Sequence, residues 1–191
     1  MAMKIDPDKS WRLVAERLEA ETDPRRRHVL QLVLHHMQRE LRLDIEGVID
    51  TLSEKPQYKI WPHVDDPVAS PGGSKDAIRN LYDRALVQTG AHRWELDLDR
   101  VIVDDHAVFT EGVMRMAYPG RTLAALGIEV PDVDSYYLSE VRMGIVWPID
   151  PDDPQARLSG EEVYAEGDRF EGIADRPISL DEIAPLESLG A

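Results

Sequence analysis

The sequence predicts an α+β domain in which helices cover one face of an antiparallel sheet. Three observations carry this. Up to about residue 90, apart from one short β-prone run, the apolar residues recur at helical spacing, from His92 onward they alternate with polar ones, and helices and long strands are segregated rather than alternating as they would in a parallel α/β protein. The 191 residues suit one domain, large enough to bury roughly 70% of its unfolded surface.

Asp6-Pro7 reads as a helix start, and Trp11, Val14 and Leu18 follow at helical spacing. Thr22-Asp23-Pro24 repeats the signal, and the run from Arg25 to Leu43, free of Gly and Pro, predicts a longer second helix. Asp44 to Leu52 adds a turn or two, bent near Gly47 and stopped by Lys55-Pro56. Tyr58, Ile60 and Trp61 form a short β-prone run, and the stretch from His63 to Gly73 is a loop. Ser74 caps a third helix carrying Ala77, Ile78, Leu81, Tyr82, Ala85 and Leu86, which Gly90 ends.

Trp94, Leu96 and Leu98 against Glu95, Asp97 and Asp99 is the pattern of a half-buried strand. Asp104-Asp105 marks a turn, His106 to Tyr118 the returning strand, Tyr136 to Trp147 a third strand and Leu158 to Ala165 a fourth. Beyond Arg176 the chain is acidic and weakly patterned. The expected organisation is one domain over residues 1–178 and an acidic tail over 179–191, ordered in part at most.

Composition excludes several function classes. With 37 acidic against 22 basic residues the net charge is -15, which opposes nucleic-acid backbones and anionic membrane surfaces. Neither is expected as a partner. The absence of cysteine removes disulfides, thiolate metal sites and cysteine nucleophiles. Apolar runs are far shorter than the roughly 20 residues of a membrane span, and the first residues lack a signal-peptide core, so a cytoplasmic location is expected. No Gly-rich phosphate loop, Gly-x-Ser-x-Gly elbow or His-Glu-x-x-His motif occurs. The charge is uneven: up to Arg42 there are nine basic and seven acidic residues, leaving 13 basic against 30 acidic beyond. Arg25-Arg26-Arg27, at a helix start where positive charge is unfavourable, reads as a surface or subunit contact.

The long second helix carries the most informative residues. At about 100° per residue, Val29, Leu30, Val33, Met37 and Leu41 form its apolar stripe; Glu40 falls about 20° from Val33, and His36 about 60° away. If the helix reaches Asp44, that carboxylate joins them in a row pointing inward. A carboxylate on a buried stripe must be paired, hydrogen-bonded or facing a polar cavity, since isolated burial costs several kcal/mol. Three readings stay open: an ion pair with Arg115 or Arg142, a ligand or catalytic pocket, and a divalent-metal site built on the row.

On the strands, Glu111 shares a face with Val113 and Arg115, and Glu140 with Arg142. These charges are either cross-strand pairs in solvent or an arginine-carboxylate pair inside an apolar cavity, able to polarise a carbonyl or activate a water. Met114 and Met116 compete with Val113 and Ala117 for the inner face. Glu95, Asp97 and Asp99 read as a solvated face, with one of them a candidate pocket base. Trp61, Tyr82, Tyr118, Trp147 and Tyr164 are core aromatics or pocket walls with polar tips.

Four segments carry a family resemblance: His36-Met37 through Glu40 and Asp44 to Thr51-Leu52; Pro56-x-Tyr58-x-x-Trp61-Pro62; Glu111-Gly112-Val113-Met114-Arg115-Met116-Ala117-Tyr118-Pro119-Gly120; and Val146-Trp147-Pro148. Across about residues 25–178 the chain resembles the nuclear transport factor 2-like superfamily, in its SnoaL-like branch. The resemblance implies the cystatin-like, nuclear transport factor 2-like fold, a cone-shaped curved antiparallel sheet wrapped around N-terminal helices and enclosing an apolar pocket. Members include ketosteroid isomerases, polyketide cyclases, dehydratases and epoxide hydrolases, while others only bind or scaffold.

Two functions are therefore expected as alternatives: a cofactor-free lyase, isomerase or cyclase working by acid-base chemistry on an apolar, polyketide-like or steroid-like molecule, or a non-catalytic binding or assembly module. In the first, His36 and Glu40 are the acid-base pair and Glu111 and Arg142 their charge partners. Asp44, Tyr58, Trp61, Tyr82, Arg115, Tyr118 and Trp147 would contact the substrate. Neither cofactor nor metal is expected. A homodimer through the outer sheet face is.

Overall fold

In the computed structural model, which describes residues 3–186, each element boundary has a local cause. α1 (Lys9–Ala20) and α2 (Pro24–Leu41) come first. Asp23 caps α2 by accepting the backbone N–H groups of Arg25 and Arg26, and Pro24 occupies a first-turn position, where its missing N–H costs nothing. The helix stops because Leu43 takes a left-handed backbone, φ 54°. Asp44 therefore leaves α2 and caps α3 (Ile45–Asp50), accepting the Gly47 N–H. This corrects the expectation that Asp44 extends the inward row.

β1 (Leu52–Trp61) is longer than the expected run. Ser74 caps α4 (Lys75–Tyr82), which widens into a π-helical turn, Asp83–Gln88. The expected meander is β2 (Trp94–Val103), β3 (Ala107–Pro119), β4 (Tyr136–Pro148) and β5 (Leu158–Ala165). A short α5 (Gly120–Ala125) and a two-residue β6 (Pro177–Ile178) were not expected. Sheet order is β1-β5-β4-β3-β2, with β6 paired to β4. β1 runs parallel to β5, so the sheet is mixed rather than wholly antiparallel. The whole meander acts as the long crossover that a parallel pair needs.

Register decides which residues face the helices. β3 and β4 pair without a break from Ala107 and Pro148 to Pro119 and Tyr136. Val108, Met114, Met116 and Tyr118 of β3 join the core with Val141, Met143, Ile145 and Trp147 of β4. Glu111, Arg115, Glu140 and Arg142 alternate with them on the outer face. A bulge between Leu98 and Arg100 faces Gly112, where a Cβ would lie 2.2 Å from the Asp97 carbonyl oxygen. α1 covers the free edge of β2, whose Leu96 N–H donates to Ser10 Oγ at 2.8 Å.

The stretch after Arg176 packs more than its pattern suggests. Ile178 joins Ile5 and Ala117 in a small buried cluster against Leu138 and Ile183, and Ile5 bridges Ile183. Ser179 and Glu182 form a reciprocal cap. Residues 187–191 of the expected tail lie outside the described residues. Among the described residues no helix is long and apolar enough to cross a membrane.

Candidate functional site

Between α2, α4 and the inner sheet face lies a cavity of about 170 Å³. Its walls are mostly apolar and include Met37, Met114, Met116 and Met143, four of the six methionines in the chain. Flexible thioethers let such a wall repack around ligands of different outline. The polar atoms gather at one end, where Glu40, Tyr58, Tyr82 and Glu161 line the cavity and His36 stands directly behind them.

Local hydrogen bonding fixes one proton of His36. Its Nδ1 lies 2.7 Å from Thr51 Oγ1, and that hydroxyl spends its only hydrogen on the Val48 carbonyl at 2.6 Å. Thr51 can therefore only accept, so Nδ1 carries a proton and donates it. Nε2 is left facing Glu161 Oε1 at 3.1 Å, Tyr82 OH at 3.2 Å and Tyr58 OH at 3.3 Å. The ring is held edge-on by Trp147, 5.3 Å between centroids, whose own N–H donates to Thr110 Oγ1 at 2.9 Å. Tyr82 donates to Glu161 at 3.2 Å and lies 3.1 Å from Tyr58 OH.

The electrostatics separate the two carboxyl groups. Glu40 looks into the cavity and is half-buried. Desolvation, then the charge of Glu161 beside it, pushes its carboxyl well above the usual range, so Glu40 holds a proton where surface carboxylates have lost theirs. Burial first, then the charge of Glu161, raises both phenols as well, and they stay protonated as donors. His36, Glu40 and Glu161 each bring one ligand atom to within 4.8 Å of the others. That donor set, one imidazole and two carboxylates, is also one that could hold a divalent cation.

Of the expected site residues, His36, Glu40, Tyr58, Tyr82, Tyr118 and Trp147 come to this cavity or its polar end. Five do not. Glu111 and Arg142 sit on the outer face, paired with each other, with Asp99 2.6 Å from Arg142 and Arg100 2.9 Å from Glu111. Arg115, also outside, binds Glu95 and Glu140, each at 2.6 Å. Their strand parity is opposite to that of Met114 and Met143, so the catalytic role expected for Glu111 and Arg142 and the substrate contact expected for Arg115 are corrected. Asp44 caps α3 and pairs with Arg39 at 2.7 Å. Trp61 lies at the surface, stacked on Tyr164 at 5.9 Å. Within the acidic face of β2, Glu95 is buried, bonded to the Asp6 N–H and Arg115 rather than solvated.

Sequence reasoning missed Glu161. Leu158 and Val163 both face the core although they lie an odd five positions apart, because the strand changes parity at Gly160 (φ 131°). Simple alternation from Leu158 turns Glu162 inward and Glu161 outward. The structure does the reverse, with Glu162 bound to Lys59 at 2.6 Å outside. A glycine in mid-strand was the available signal.

Solved structures share this fold at low sequence identity. A putative SnoaL-like polyketide cyclase from Shewanella denitrificans matches with a TM-score of 0.58 at 12% identity, over 76% of this chain and 93% of that one. A nuclear transport factor 2-like protein of unknown function from Burkholderia pseudomallei matches at 0.53 and 14%, over 76% and 95%. An epoxide hydrolase from M. tuberculosis matches at 0.56 and 15%, over 80% and 94%. The chain has the nuclear transport factor 2-like fold, with SnoaL-like proteins among its structural neighbours. No protein-family model matches the chain, and no curated protein matches its sequence.

Proposed function

We propose that the protein is a cofactor-independent acid-base catalyst, an isomerase, lyase or cyclase, acting on a small apolar molecule with an enolisable carbonyl. The carrying observation is the pairing at the polar end of an apolar cavity of Glu40, whose carboxyl burial pushes well above the usual range, with a second carboxyl group, Glu161, held by His36 and the Tyr82 phenol. Glu161 takes a proton from the carbon beside the carbonyl while Glu40 donates to the carbonyl oxygen, giving an enol. Returning the proton to another carbon isomerises the substrate, expelling a hydroxyl dehydrates it, and attack on a second carbonyl closes a ring. His36 positions Glu161 and is not itself in the cavity wall. An engineered apolar cavity of roughly 150 Å³ takes up benzene, so this one suits a molecule of one or two rings.

The test is proton exchange. Wild-type protein should accelerate deuterium exchange in a panel of one- and two-ring ketones in D2O, followed by NMR, and folded Glu161→Gln protein should not. Equal rates for the two proteins across the panel would sink the proposal. The alternative, a binding or assembly module on the same fold, rests on the cluster's internal hydrogen bonding; ketones that bind without exchange would favour it. The reading includes a homodimer through the outer sheet face, supported by exposed Trp61 and Tyr164 and by the Phe109 ring over Gly144.

A further inference from the structure

Two hydrogen-bond donors in the cavity wall have no acceptor. Trp94 is 3% exposed, and its indole N–H is buried with no partner among the described residues, although buried indole N–H groups ordinarily find one. Arg169, half-buried in the turn after β5, is among the described residues the arginine whose guanidinium has no hydrogen bond, ion pair or aromatic ring to lie over. Arg93, which also lacks a hydrogen bond, lies over the Tyr136 ring at 5.6 Å.

The sheet register puts Trp94 and Arg169 at the same end of the sheet, and both line the cavity. Trp94 pairs with Met116, and Met116 with Ser139. Ser139 Oγ donates to the Arg169 carbonyl at 3.2 Å. Phe170 packs edge-on against Tyr118 at 5.1 Å, so the turn that carries Arg169 is anchored to the same end of the sheet. That end lies opposite the acid-base cluster along β4: Glu162, beside Glu161, pairs with Val146 near the finish of the strand, whereas Ser139 is near its start. Arg169 and Ile60 also line an adjoining surface hollow with Trp61, Pro62 and His63. Arg169 therefore stands where the cavity meets the surface.

An apolar cavity with a proton donor at its inner end and two unmatched donors at its outer end, one of them a cation, fits a ligand of matching polarity. We propose that Arg169 and Trp94 are specificity-determining residues that hold a carboxylate, so that the substrates are small one- or two-ring carbonyl compounds that also carry a carboxylate, with the reacting carbonyl presented to Glu40 and Glu161. Guanidinium geometry matches a carboxylate bidentately, and the indole N–H gives a third bond. The chain's net charge of -15 repels anions at long range, and a local cation offsets that repulsion. The identity of the reacting end rests on the acid-base reading above. The carboxylate subsite does not.

Matched probes test it: indane-2-carboxylate and its neutral carboxamide, titrated by NMR against wild-type, Arg169→Met, Arg169→Lys, Trp94→Phe and Glu40→Gln proteins, each shown to melt like wild type. Wild type should prefer the carboxylate by about tenfold or more, the scale of one charge-assisted bidentate pair. Arg169→Met should abolish the preference with the amide affinity unchanged, and Arg169→Lys should keep part of it. The indole N–H resonance missing from Trp94→Phe should move with the carboxylate. Glu40→Gln should retain the preference, which separates this proposal from the acid-base one. Equal affinity of wild type for both probes, no binding of either, or a preference surviving in Arg169→Met would overturn it.

Discussion

His36 Nε2 lies 3.1 Å from Glu161 Oε1 with the His36 side chain wholly buried, and the opposite ring nitrogen is committed to Thr51. This is a helix-to-strand pair that ties α2 to β5. Removing His36 leaves a buried carboxyl and a buried hydroxyl short of a partner, a loss of about 1–3 kcal/mol. His36→Ala should therefore lower urea-unfolding stability by an amount in that range, while Glu161→Gln, which keeps shape and hydrogen bonding, should cost much less and still abolish exchange. A loss below ~1 kcal/mol for His36→Ala would show that the pair contributes little.

Glu40 predicts how stability changes above about pH 4.5. Its folded value lies well above the ordinary 4.5, because of burial first and Glu161 second. The folded protein then holds a proton that the unfolded chain has lost, so stability is full below about pH 4.5 and falls as pH rises toward the folded value. Glu40→Gln should remove this fall and be relatively more stable at neutral and higher pH. Parallel stability curves for the two proteins from pH 4 to 9 would refute it.

Glu21 acts in the opposite direction at the turn between α1 and α2. It accepts the backbone N–H of Asp23 at 3.0 Å and pairs with Arg17 at 2.6 Å, and these bonds, Asp23 first, lower its carboxyl to about 2. Its contribution is present above the ordinary value and is lost as pH falls from about 4.5 to about 2. Acid unfolding of Glu21→Gln should be shallower than wild type in that window. Identical acid limbs would show that the turn does not depend on this charge.

How much of this was legible in the sequence depends on strand parity. Helical spacing in α2 put Glu40 and His36 on the inner face because the period holds until Leu43 turns left-handed. On β3 and β4, Met114 and Met116 could not be ranked against Val113 and Ala117 by hydrophobicity, since each set is apolar; register with β2 and β4 decides it, and that is a long-range property. Asp44 was misplaced for a local reason, a single residue of positive φ. Glu161 was missed because Gly160 inverts the alternation on which strand reading relies. Arg169 and Trp94 carry no motif at all, and their meaning comes from lacking partners, which only the packed structure reveals.

Gly160 is the hinge of that inversion, and it yields a sharp prediction. Its φ of 131° is barred to residues with a Cβ, and a Cβ there would lie 2.0 Å from the Gln57 carbonyl oxygen on the paired strand. Backbone strain of about 1–3 kcal/mol and overpacking of similar size should both appear, so Gly160→Ala should destabilise by ~3 kcal/mol or more and displace Glu161. Gly167→Ala, also at positive φ but with open space around it, is the control, showing the strain without the clash. Equal losses for the two variants would mean that close approach of β1 and β5 is not what requires the glycine.

The outer face supplies the last prediction. Glu111, Arg142, Asp99 and Arg100 form a surface ion-pair network there, and exposed pairs of this kind contribute about 0–1 kcal/mol each. Arg142→Met should leave probe binding and deuterium exchange unchanged, because its parity keeps it out of the cavity. The apolar strip beside it, with Trp61 and Tyr164, is where a second copy would pack. Sedimentation at micromolar concentration should give a dimer of the 21.6 kDa chain, and Tyr164→Glu should shift it toward monomer by placing a charge in that contact. A wild-type monomer across the accessible concentration range would remove the dimer and leave the cavity chemistry untouched, since each residue of the acid-base cluster comes from one chain.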